Sequence, residues 1–179
     1  MKTEKINPAL ADLFKQLESE DRNLAHKALN KLLRQSGMNE LLQLIGVLSS
    51  STDEKVSKEI ETWLANIKSK KAPAVFARAL AAPEFVGIRT PLVRACWETQ
   101  LDFSPHILLF VHFLLAGDYG LALEAFSVVE NTCLEYPIPA DQVIDIIKQL
   151  NSSLPDQPEA KQRLLREMVQ VLEPYASVG

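Results

Sequence analysis

Residues Leu101–Thr132 read LDFSPHILLFVHFLLAGDYGLALEAFSVVENT, and they contain one complete structural unit. Ser104 can offer a side-chain oxygen to free amides, and Pro105 follows where a first helical residue tolerates proline. Ile107 to Leu115 is apolar apart from His112, the composition of a helix buried on more than one side. Ala116-Gly117-Asp118 turns the chain, with Gly117 able to take the left-handed conformation that ends a helix. A second helix then places Leu121, Ala125 and Val129 on one stripe and Glu124, Ser127 and Asn131 off it. The unit is a helical hairpin close to the usual period of helical repeats.

Working outward, the same plan recurs. Asn7-Pro8 opens a first helix striped by Leu10, Leu13, Phe14 and Leu17, and Glu18 to Asp21 breaks it. A second helix carries Leu24, Ala25, Ala28, Leu29 and Leu32 and ends at Ser36-Gly37. The third holds Leu41, Leu42, Leu44, Ile45 and Leu48. Thr52 or Asp53 caps a fourth, with Val56, Ile60, Trp63, Leu64 and Ile67 inward. Pro73 starts a fifth, which Pro83 stops. Proline inside a helix costs about 3 kcal/mol, so Thr90 is expected to cap the sixth with Pro91 at its first position. A ninth helix spans Ala140 to Leu150, with Val143, Ile144, Ile146, Ile147 and Leu150 inward. A tenth runs from Pro158 to Glu173-Pro174. The expected fold is therefore all-α, with ten helices in five hairpins at approximately 7–37, 38–70, 72–100, 104–132 and 139–173 of one domain.

A register ties the hairpins together. Asp21, Asp53 and Asp118 each precede a second helix, where a carboxylate favours the positive end of the helix dipole. Three, seven and eleven residues further on stand Leu24-Ala28-Leu32, Val56-Ile60-Leu64 and Leu121-Ala125-Val129. A fourth anchor at Phe85 gives Ile88-Leu92-Cys96, so successive anchors lie 32, 32 and 33 residues apart. The fifth hairpin follows the plan loosely, as terminal units of repeat proteins do.

The composition sets limits on function. An apolar content of 47% with 23% charged residues is globular. Two cysteines make no disulfide framework, and a reducing compartment with a cytoplasmic location is expected. The most apolar run, Ile107 to Ala116, is about half the length of a membrane span, so no membrane association is expected. The net charge of −4 hides an asymmetry. Residues 1–101 hold 15 Lys and Arg against 12 Asp and Glu, whereas residues 102–179 hold 4 against 11. No Lys or Arg occurs between Arg94 and Lys148. Such a field disfavours nucleic acid and suits a basic protein partner, sought first at the exposed edge of Leu101–Thr132.

No residue pattern points to chemistry. His106 and His112 lie six apart, about 240° around a helix, and cannot share a metal from one helix. His112, among apolar neighbours, is expected to be packed and hydrogen-bonded, and His106 to lie at the surface. Cys96 and Cys133 are expected to be buried and inert. Asp141 and Asp145 read as a solvated helical pair. Trp63 and Trp97 adjoin the apolar stripe and are expected to pack between hairpins. No catalytic, metal or cofactor-binding residue is expected.

Hairpin length, the turn aspartates, the register, and the stretches LVRACWETQLDFS and ALEAFSVVEN together resemble the HEAT-repeat (armadillo-like) superfamily over essentially the whole chain. The resemblance implies an α-α superhelix, a solenoid whose concave face, lined by second helices, binds protein. Members commonly carry an arginine early in the second helix. Arg22, Arg89 and Arg94 are the nearest here, and the second and fourth repeats lack one. The groove residues implied are Lys27, Lys31, Arg34, Lys58, Thr62 and Arg94, passing to Glu124, Ser127 and Asn131. The expected function is a non-catalytic protein-interaction scaffold. The alternatives are a HEAT-like enzyme of DNA-glycosylase or bilin-lyase type, or a self-associating structural protein. The acidic balance weighs against the glycosylase, which needs a basic groove.

Overall fold

A computed structural model describes residues 8–17, 19 and 21–176, with the backbone alone at Pro8, Ala9 and Arg22. Asn7, Glu18 and the Arg22 side chain, all named above, lie outside the described residues, as does Glu20. Ten α-helices are present among those described, with no strand. They are α1 (Pro8–Leu17), α2 (Arg22–Gln35), α3 (Leu41–Ser50), α4 (Glu54–Ala65) and α5 (Ala72–Ala81), followed by α6 (Arg89–Thr99), α7 (Ile107–Ala116), α8 (Tyr119–Glu135), α9 (Ala140–Ser153) and α10 (Glu159–Ala176). None is long and apolar enough to cross a membrane.

The three turn aspartates act as the dipole argument requires. Asp21 accepts hydrogen bonds from the Asn23 and Leu24 amides, Asp53 from Lys55 and Val56, and Asp118 from Leu121. Each satisfies amides that a helix start leaves without an intrahelical acceptor. Odd and even helices pair within each hairpin, and the even helices touch in series, α2 to α4, α6, α8 and α10. One apolar core runs through all of them. At its centre Phe103 stacks edge-on against Phe76, 6.3 Å between centroids, and against Phe110, 5.4 Å away. These contacts link the third hairpin to the fourth.

Several expectations are corrected. Helix α6 begins at Arg89, so Thr90 is its second residue and not its cap. A 3-10 segment, Pro83–Ile88, runs directly into it. Pro91 still costs little, because amides in the first turn have no intrahelical acceptor to lose. Helix α7 begins at Ile107, after a 3-10 turn over Ser104–His106. Ser104 makes no side-chain cap; its amide instead donates to Asp102 Oδ1 at 2.9 Å. Helix α9 continues to Ser153, with Ser152 and Ser153 bonding back to the carbonyls of Lys148 and Gln149. Helix α10 continues past Pro174, which interrupts only its last turn.

Gly117 is not left-handed; its φ is −69°. Its role is close approach. A Cβ there would meet the Phe113 carbonyl oxygen at 2.6 Å and Leu121 side-chain carbons at 3.0 Å. Among the described residues the left-handed one is Gln100, at φ 57°, closing α6. Leu24 and Ile144, expected inward, are exposed at 42% and 39%, and Leu108 of the apolar α7 run is exposed at 52%. His112 is exposed rather than packed, and His106 is half-buried.

Behind Gly117, Lys161 of α10 is buried, and its ammonium donates to the Leu115 and Gly117 carbonyls, both at 2.6 Å. These are end carbonyls of α7, where a cation also meets the negative end of the helix dipole. Burial pushes the Lys161 pKa below its ordinary 10.5, partly offset by the Asp118 carboxylate. Lys161→Met should therefore lose about 1.5–3 kcal/mol of stability at neutral pH, read by urea denaturation. The pH dependence has a defined sign. Just below pH 10.5 the unfolded chain keeps the Lys161 proton that the native state has released. Wild-type stability should thus rise relative to Lys161→Met as pH climbs through that window. A flat difference would show that Lys161 stays fully protonated when folded.

Candidate partner-binding face

The even helices present the residues that the repeat pattern places off the apolar stripe. Lys27, Lys31 and Arg34 on α2, and Lys58 and Thr62 on α4, are all exposed. Their common exposure follows from the register, since the opposite sides of both helices bury Ala28, Leu32, Ile60 and Leu64. The Thr62 hydroxyl is turned inward on its own helix, donating to the Lys58 carbonyl at 2.8 Å. Lys58 and Thr62 line a shallow hollow of about 520 Å³ with Asn30, Leu33, Lys55, Glu59, Trp63 and Asn66.

Arg94 and Glu124 do not serve as separate groove residues, because they pair with each other. The Arg94 guanidinium reaches Glu124 Oε1 at 2.7 and 2.8 Å from two nitrogens, and the Trp97 indole donates to Oε2 at 2.8 Å. Both oxygens of one carboxylate thus tie α6 to α8. The Glu124 bond pushes the Arg94 pKa above its ordinary value, against a smaller effect of burial, with Glu61 and Glu98 adding to the rise. Ser127, half-buried, donates to the Leu123 carbonyl, and Asn131 lines a separate hollow of about 250 Å³ with Trp97, Gln100, Glu135 and Tyr136.

The two tryptophans join hairpins, as their place beside the stripe suggests. Trp63 donates to the Leu33 carbonyl at 2.9 Å, back toward the first hairpin, whereas Trp97 reaches forward to Glu124. Between the first two hairpins, His26 lies 3.6 Å from Asp53 and 3.9 Å from Glu59, one carboxylate at each ring nitrogen. Sequence spacing gives no sign of this group, since its members stand 27 and 33 residues apart.

Cys96 and Cys133 are buried and unbridged. Burial holds the Cys96 thiol well above its usual range and pushes Cys133 up to about 11, so both are poor nucleophiles at neutral pH. Among the described residues no group of His, Cys, Asp or Glu is placed to hold a metal. Asp141 and Asp145, read as a solvated pair, are both exposed, and Asp145 accepts from Lys148 at 3.1 Å. No protein-family profile matches the chain, and neither a curated protein nor a solved structure matches it significantly.

Proposed function

We propose that the chain is a HEAT-like helical-repeat scaffold that binds a protein partner, without catalysis, across the face of its even helices. The observation that carries this reading is the series of even helices, each touching the next and each turning charged or polar residues to solvent. A solenoid built this way offers a preformed surface, which limits the ordering cost of association. Its two ends differ in charge. Lys27, Lys31, Arg34 and Lys58 make α2 and α4 basic, while Arg94 and Glu124 neutralise each other and residues 102–179 hold 4 Lys and Arg against 11 Asp and Glu. A partner of mixed charge, acidic where it meets α2 and α4 and basic where it meets the later helices, suits that polarity.

The test is capture of partners from lysate by the intact protein, compared with two charge variants. Lys27→Glu/Lys31→Glu/Lys58→Glu should lose a reproducibly captured protein, while Gln149→Lys on exposed α9 should keep it. Equal loss in both, or no reproducible partner, would remove this reading.

A further inference from the structure

We infer that the solvent face of α8 docks an amphipathic helix with basic flanks, supplied by a partner protein. This rests on the scaffold reading above and names the site and the partner's chemistry. Tyr119, Leu123, Ser127, Glu130 and Leu134 follow each other at spacings of four, four, three and four residues. At 3.6 residues per turn they fall within about 80° of the helix circumference. The opposite side is the buried one, carrying Leu121, Ala125, Val128, Val129 and Thr132. Yet the outward stripe is not polar. Tyr119, Leu123 and Leu134 are exposed at 50%, 46% and 61%.

An exposed helix face is ordinarily charged, and single exposed apolar residues are unremarkable. The other large exposed ones, Leu24, Val86, Leu108 and Ile144, indeed fall one to an element. Three on one stripe of one helix is a different arrangement, of the kind that marks an interaction site. The stripe spans about 22 Å, four turns, which matches the anchor spacing of a helix lying along it. At its start Tyr119 borders a cleft of about 330 Å³ formed with Glu159, Ala160, Arg163, Leu164 and Glu167 of α10. That cleft gives an anchor side chain somewhere to enter.

Charge selects the occupant. Residues 95–147 hold eight carboxylates and no Lys or Arg, so α8 brings no cation of its own. Of the five cations on the flanking even helices, Arg94 pairs with Glu124 and Arg163 with Glu159, while Arg89, Lys161 and Arg166 donate to neutral oxygens of Leu80, of Leu115 and Gly117, and of Gln162. With Asp118 at its start and Glu130 and Glu135 along it, α8 favours apolar anchors flanked by Lys or Arg over an acidic helix. A second copy of this chain fits less well. Its basic helix, α2, turns Lys27, Lys31 and Arg34 outward with only Leu24 as an exposed apolar residue.

The experiment uses a synthetic helical peptide of roughly five turns, with leucines at i, i+4, i+7 and i+11 and lysines flanking them. Its controls are a scrambled peptide of equal composition and a version with Glu for Lys. Binding to the full chain is read by fluorescence anisotropy, and the site by amide shifts. The amphipathic basic peptide should bind, more weakly at high salt, and shift α8 amides. Leu123→Asn/Leu134→Asn should weaken it at least about tenfold with helical content unchanged. Equal binding by the scrambled peptide, shifts confined to other helices, or an unaffected double variant would overturn the assignment. So would a wild-type oligomer in light scattering that the same double variant dissociates, since a second copy would then cover the face. The outcomes for the scaffold reading are separate. A captured partner lost with the α2 and α4 charge reversal, but retained by Leu123→Asn/Leu134→Asn, would remove the α8 site and leave the scaffold standing.

Discussion

Phe103→Ala is expected to reduce the unfolding free energy by about 3–5 kcal/mol, the cost of emptying a large aromatic site that the surroundings cannot refill. Phe103 is 1% exposed and sits between two rings. Its edge-on geometry, at 60° to Phe76 and 85° to Phe110, adds to the area it buries. Phe103 lies outside any helix, between α6 and α7, while its ring joins α5 of the third hairpin to α7 of the fourth. For a chain of this size the melting temperature should fall roughly 6–20 °C. Phe103→Leu, which keeps most of the volume, should cost clearly less. A loss under about 1 kcal/mol for the alanine variant would mean that the two hairpins do not depend on this ring.

Phe103 also marks the limit of what the residues reveal in order. Periodicity identifies positions within helices, because burial repeats every three or four residues there. It has no hold on a lone apolar residue in a connector, so Phe103 carried no assignment although it is among the most buried side chains. The same limit explains Lys161. A lysine on a helix reads as solvated, and only the approach of α10 to the end of α7 makes it a buried donor. By contrast the three turn aspartates were legible, since capping is local and needs nothing beyond the next three residues. Gly117 was placed correctly in its turn but for the wrong reason. Its lack of a side chain serves a contact with Phe113 and Leu121, which a turn motif does not announce.

The candidate face shows the same division. That Lys27, Lys31, Arg34, Lys58 and Thr62 point outward follows from helical period alone. That Arg94 and Glu124 satisfy each other does not, because they stand 30 residues apart and meet only when two hairpins stack. The consequence is electrostatic. Their pairing takes one cation and one carboxylate out of the free charges together, so neither is left to meet a partner. The exposed leucines of α8 were hidden differently. Leu123 and Leu134 sit among so many apolar neighbours that composition cannot separate inside from outside.

The register itself meets its sharpest test in a matched set of leucines. Leu64→Ala and Leu92→Ala should each cost about 2–5 kcal/mol, while Leu24→Ala should cost under about 1 kcal/mol. All three occupy register positions, Leu24 at the first offset, Leu92 at the second and Leu64 at the third. Sequence periodicity alone treats them alike. The structure separates them, with Leu64 and Leu92 at 0% exposure and Leu24 at 42%. Leu24 lies in the first turn of its helix, whereas Ala28 and Leu32 further along the same stripe are buried at 2% and 0%. Leu64 lies in α4 and Leu92 in α6, each packed between neighbouring even helices on both sides. Helix α2 belongs to the first hairpin and has an even-helix neighbour, α4, only on the side that follows it. A first-turn residue of a helix with one even-helix neighbour is thus left open, while residues deeper in the same helix are covered. Urea denaturation of the three variants reads this directly. Comparable losses at all three would mean that Leu24 is covered in solution and that the first hairpin has a neighbour. Losses below about half a kcal/mol at Leu64 and Leu92 would sink the register, because deleting a fully enclosed leucine leaves a cavity that only a rearranged core could close.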